Sequence, residues 1–73
     1  MMKLTIRQRE VLTKMNEGWT LCFSATLGVT IANNVMVELV AKRTSNVLKR
    51  DGYIIWKDIG IYAITDKGRE VIR

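Results

Sequence analysis

Seventy-three residues with 48% apolar content suit one folded domain over 1–73; that content argues against disorder, and the chain is too short for two cores. Twelve basic residues against seven acidic ones give a net charge of +5, which favours a polyanionic partner, nucleic acid before an anionic membrane surface. One cysteine and no histidine leave no disulfide framework and no convincing metal site or nucleophile–base pair, so the expectation is a non-enzymatic, cytoplasmic protein without cofactor or metal.

The chain opens with a predicted helix over about residues 6–17. Thr5 and Gln8 have the spacing of a capping box, in which hydroxyl and amide satisfy each other's free backbone donors. Gln8, Val11, Leu12 and Met15 share one face, and Gly18 ends the helix. Lys3, Arg7 and Arg9 are expected to be solvated, with backbone contacts to a polyanion as the alternative. The charges of this segment interrupt any apolar run, so it is not expected to act as a signal peptide.

Gly18 to Val37 carries no charge, which raises the question of a membrane span. Asn33-Asn34, the recurring Thr and Ser, and the alternation of apolar residues argue for a soluble β-hairpin over residues 19–32. Trp19, Leu21 and Phe23 alternate with Thr20, Cys22 and Ser24, and Val29 and Ile31 with Thr30 and Ala32; Ala25–Gly28 would be the turn. Cys22, between Leu21 and Phe23, is expected in the core.

A second helix is predicted over about residues 35–50, with Asn33 or Asn34 as its N-cap. Val37, Val40, Ala41, Thr44 and Leu48 form an apolar stripe with Val47 at its edge. Lys42, Arg43, Asn46, Lys49 and Arg50 fall on the opposite face, and no acid lies between Glu38 and Asp51. Leu39 lands on the polar side, where contact with the hairpin, a partner chain or a thymine methyl would account for it. Lysine and arginine bind phosphate by charge and counterion release, and Asn46 and the arginines can also read base edges. The alternative is an ordinary solvated helix face.

Asp51-Gly52 stops this helix. Residues 53–57 and 61–64 then pair as strands around Asp58-Ile59-Gly60, a bulged three-residue turn, with Lys57 at its tip as a further phosphate contact. Thr65 caps a last short helix whose Val71 and Ile72 return to the core. Trp19 and Trp56 are expected as core or interface aromatics and not as platforms for bases.

The run Leu48…Gly52-Tyr53-Ile54, a hairpin, and then Ile64-Thr65…Gly68…Ile72 resembles the second half of a winged helix-turn-helix domain of the MarR/ArsR type. The resemblance implies an α+β winged-helix-like fold ordered as helix, hairpin, helix, hairpin wing and short helix. It makes residues 35–50 a recognition helix and 53–64 a short wing. The implied function is transcription regulation by binding double-stranded DNA through Lys42, Arg43, Asn46, Lys49, Arg50 and Lys57. The chain departs from the family at residues 19–32, where a hairpin replaces the usual second helix. That departure and the uncharged Gly18–Val37 stretch keep a second expectation open: a protein-binding modulator or inhibitor, of phage or toxin type, on the same scaffold. A homodimer is also open, because one small module offers only about 600–1,000 Å² of DNA interface.

Overall fold

In the computed structural model, which describes residues 4–73, Thr5 starts the first helix, α1 (Ile6–Asn16), through the expected capping box. Its hydroxyl accepts from the Gln8 amide at 3.1 Å while the Gln8 side chain accepts from the Thr5 amide at 3.0 Å. Val11, Leu12 and Met15 are the buried face of α1. The expected hairpin follows as β1 (Thr20–Ser24) and β2 (Gly28–Ala32), turned by the Ser24 hydroxyl, which accepts from the amides of Thr26 and Leu27.

The next segment corrects the sequence reading. Residues 35–41 are not helical: Val37–Val40 form a strand, β3, and the helix, α2, spans only Lys42–Arg50. Asn33 does cap, but it caps a turn. Its side-chain carbonyl accepts from the amides of Val35 and Met36 at 2.9 and 2.7 Å, reversing the chain so that β3 pairs with β2. The same local chemistry serves helix N-caps and Asx turns, so the residue type alone did not separate them. Period-two alternation then takes over from the helical stripe. Val40 is buried and Glu38 faces α1, while Val37 and Leu39 point the other way and are 68% and 71% exposed.

After α2 come β4 (Ile54–Asp58), β5 (Ile61–Ile64) and α3 (Asp66–Val71). The five strands form one antiparallel sheet in the order β3-β2-β1-β5-β4. Asp58 pairs with Ile61, so the β4–β5 turn is Ile59-Gly60 and the irregularity sits at Lys57, between Trp56 and Asp58, one residue earlier than expected. The result is an α+β domain whose helices cover one sheet face. Leu21, Val29, Ile31, Val40, Ile54 and Tyr62 of that face pack with the α1 residues, Leu48 and Tyr53 into a single core, against which Val71 and Ile72 rest. Cys22 is on the opposite, bare face, half-buried beside Thr30 and Ile61, and not in the core as expected. Among the described residues no helix is long and apolar enough to cross a membrane.

Two ties fix α2 within this frame. At its C-terminal end the Thr65 hydroxyl donates to the Gly52 carbonyl at 2.7 Å and accepts from the Gly68 amide at 3.1 Å, and the Thr65 amide donates to the Tyr53 carbonyl at 3.0 Å. At its N-terminal side Lys14 holds both Glu38 oxygens at 2.7 Å, and Arg7 reaches Glu38 at 3.6 Å and the Leu39 carbonyl at 2.9 Å. Arg7 thereby occupies part of the otherwise open edge of β3. The Lys14 hydrogen bond holds the Glu38 carboxyl below its ordinary value of 4.5; desolvation opposes the shift, and the charges of Lys14 and Arg7 add to it.

Candidate nucleic-acid interface

The buried residues of α2 are Thr44, Ser45 and Leu48, with Val47 half-buried beside them. At 100° per residue this sorts the exposed residues into two rows. Arg43, Asn46 and Arg50 form the ridge farthest from the core. Lys42 and Lys49 form a flank, two turns apart, that leans over the sheet. No acid lies in the first turn, and Ala41 at the N-cap offers no side-chain acceptor. The positive end of the helix dipole is therefore uncapped by any side chain and carries Lys42 and Arg43.

Among the described residues the cations without an ion pair are clustered on α2 and single elsewhere, as Arg9 on α1, Lys57 on β4 and Lys67 on α3. Arg7 pairs with Glu10 and Glu38, Lys14 with Glu38, Arg69 with Asp66 and Arg73 with Glu70. Among the described residues, Lys42, Arg43 and Lys49 make no ion pair, and Arg50 meets only its chain neighbour Asp51, whose side chain is largely buried, at 3.2 Å. The expected alternative roles of Arg7 and Arg9 thus part company: Arg7 is engaged in the fold, and Arg9 is exposed. Lys3 lies outside the described residues.

The lysine flank borders a cleft of about 170 Å³ lined by Phe23, Val29, Lys42, Ser45, Asn46, Lys49, Trp56 and Tyr62. Lys42 Nζ stands 5.9 Å from the centroid of Phe23 and Lys49 Nζ 4.9 Å from that of Trp56. Trp56 is stacked on Tyr62 with centroids 4.2 Å apart and planes 20° from parallel. Burial pushes the Tyr62 phenol above its ordinary value of 10.0, so it remains neutral. Gly60, at φ +75°, brings the β4–β5 turn against β1: its carbonyl accepts from the Phe23 amide at 2.7 Å, and a Cβ there would stand 2.9 Å from the Phe23 carbonyl oxygen. Phe23 and Trp56, on strands separated by β5, line the same cleft with Tyr62 of β5.

No protein-family model matches this sequence, and no curated protein or solved structure gives a match.

Of the six residues expected to contact DNA, the structure gathers five, Lys42, Arg43, Asn46, Lys49 and Arg50, on one exposed helix surface. Lys57 is set apart. It lines a separate depression with Thr20, Trp19, Ile61 and Ala63. Sequence reasoning missed Phe23 and Trp56 as site residues. Trp56 was expected in a core or interface, and it is 42% exposed; Phe23 is 39% exposed. The available signal was strand parity. Leu21 and Ile54 are on the helix-covered face, so Phe23 and Trp56, two residues on, share it at the end nearer the turns. The nine-residue α2 leaves both partly uncovered. Among the described residues no group of three His, Cys, Asp or Glu side chains could hold a metal ion.

Proposed function

We propose that this protein binds double-stranded DNA through α2 and acts as a transcriptional regulator on a winged-helix-like scaffold. In this reading the β4–β5 hairpin is a short wing, and the β1–β2 hairpin with β3 stands where such domains place a second helix. The observation that carries it is that Lys42, Arg43 and Lys49, none of them in an ion pair among the described residues, lie together on one nine-residue helix, whereas Arg9, Lys57 and Lys67, equally without an ion pair, are spread over α1, β4 and α3. A nine-residue helix is about 13 Å long, a length the major groove, about 12 Å wide, accommodates. Asn46 on the outer ridge is the base-reading candidate. Lys42, Arg43, Lys49 and Arg50, with the uncapped first-turn amides, are the phosphate contacts. Lys57 would touch the backbone only where the duplex bends toward the far side of the wing.

A titration with short duplexes at two salt concentrations tests this. Four phosphate contacts, from Lys42, Arg43, Lys49 and Arg50, should weaken binding roughly 100-fold between 50 and 200 mM salt. Absence of binding at the lower salt would refute it.

A second reading is favoured by one observation, the bare sheet face. Val37, Leu39 and Ile55 project from it, the last 55% exposed, between the smaller Cys22, Thr30 and Ala63. A face of this kind, largely apolar with Lys57 toward its β4 edge, suits a protein partner or a second copy of the chain. It takes precedence if the duplex titration gives no binding.

A further inference from the structure

We propose that the cleft between α2 and the β1–β5–β4 end of the sheet is a stacking site for two successive unpaired bases of a single-stranded nucleic acid. It shares Lys42, Asn46 and Lys49 with the duplex reading, but it depends on Phe23 and Trp56, whose rings a duplex with its bases stacked inside does not engage.

The lining defines the ligand. Two partly exposed aromatic rings, Phe23 of β1 and Trp56 of β4, line one cleft across β5, each with an ammonium above it, and Asn46 and Ser45 stand between the two lysines on the helix wall. Among the described residues no carboxylate lines the cleft. Cationic groups beside aromatic faces complement a ligand that alternates anionic phosphates with flat bases. An acidic peptide would satisfy the lysines and leave the rings uncovered. Lys42 and Lys49, seven residues apart, are separated by about 10 Å along the helix axis, which lets them hold different phosphates of one strand. The Trp56 platform is fixed in advance because Tyr62 backs it at 4.2 Å.

The lysines do not block the rings. An ammonium over an exposed aromatic face is held by a factor of only about 2 to 5, whereas stacking of a base on such a face is worth roughly 5- to 150-fold. A base therefore displaces the ammonium, and the freed lysine takes the adjoining phosphate. Asn46, with both a donor and an acceptor, is placed to bond the edge of a stacked base.

Tryptophan emission provides the test, with Trp19→Phe leaving Trp56 as the reporter. Addition of short oligo-dT or oligo-rU should quench Trp56, and the parent, carrying both tryptophans, should show part of the same quench. Trp56→Ala and Phe23→Ala should each weaken single-strand binding roughly 5- to 150-fold, Trp56→Phe should retain most of it, and duplex affinity should change by less than about 2-fold. Equal affinity for dT and rU assigns recognition to base and phosphate; preference for rU adds the 2′-hydroxyl, and preference for dT the thymine methyl. Unchanged Trp56 emission at saturating oligonucleotide would overturn the proposal, as would alanine variants that bind the single strand as the parent does. Duplex binding without single-strand binding removes this inference alone, and single-strand quenching without duplex binding removes only the duplex reading.

Discussion

Replacing Gly68 with alanine should destabilise the fold, although alanine is the better helix former. Gly68 lies inside α3 with ordinary helical backbone, so the substitution brings no positive-φ strain and gains roughly 0.5–1 kcal/mol of helix propensity. The added methyl has nowhere to go. It would fall on the carbonyl oxygen of Tyr53 and stand 2.8 Å from Ile64 Cγ1. Ile64 can rotate, but the Tyr53 carbonyl is held by the Thr65 amide at 3.0 Å, within the closure that joins α3 to the end of α2. Forcing a methyl into such a contact typically costs about 1–3 kcal/mol. Because the clash is with backbone, the upper part of that range, about 2–3 kcal/mol, applies; with the propensity gain subtracted, the net loss is about 1–2.5 kcal/mol, or a fall in Tm of roughly 4–20 °C for a domain of this size. Thermal unfolding followed by circular dichroism measures it. A Gly68→Ala variant that melts at or above the parent temperature would show that α3 does not press on Tyr53 and Ile64 as described.

Leu48 is fully buried beneath α2, and Leu48→Ala should cost about 2–5 kcal/mol, a large part of the total stability of a 73-residue domain; a melting temperature within a degree or two of the parent would mean that α2 packs through another face. The Glu38 carboxylate, held below its ordinary pKa chiefly by Lys14, contributes its full stabilisation above about pH 4.5 and loses it as pH falls through the lower folded-state value. The melting-temperature gap between parent and Glu38→Gln should therefore be widest at neutral pH and close on acidification. A gap that stays constant down to acid pH would contradict the Lys14–Glu38 tie.

Local signals in this chain were legible because the sequence and the packing asked for the same thing. The Thr5–Gln8 capping box, the alternation in β1 and β2, the buried face of α1, and the Thr65 closure all appear as expected. The failure lies at Val37–Val40. Val37 and Val40 are three residues apart, so the spacing fits a helical stripe, and the only longer-range information, pairing with β2, is invisible in a short window. Four residues of strand were therefore merged with nine of helix, which also gave Leu39 a false place on the polar face of the helix. The polar face of α2 survived that error because all its members lie at or after Lys42. The aromatic cleft could not be found in the same way: exposure of Phe23 and Trp56 depends on where α2 begins and ends relative to the sheet. Lys57 was misplaced by the bulge, whose position depends on the register of β4 against β5.

The central claim is that the exposed face of α2 holds nucleic acid by its charges. It is tested most directly by the salt dependence of duplex binding for the combined Lys42→Ala, Arg43→Ala and Lys49→Ala variant, after its fold has been checked by circular dichroism. Each lost phosphate contact should remove about 0.9 from the slope of log K against log salt, so three should flatten it by roughly 2.7 and weaken binding at low salt. A variant that binds duplex with the parent's affinity and the parent's slope would contradict the account and leave those three side chains as solvated surface.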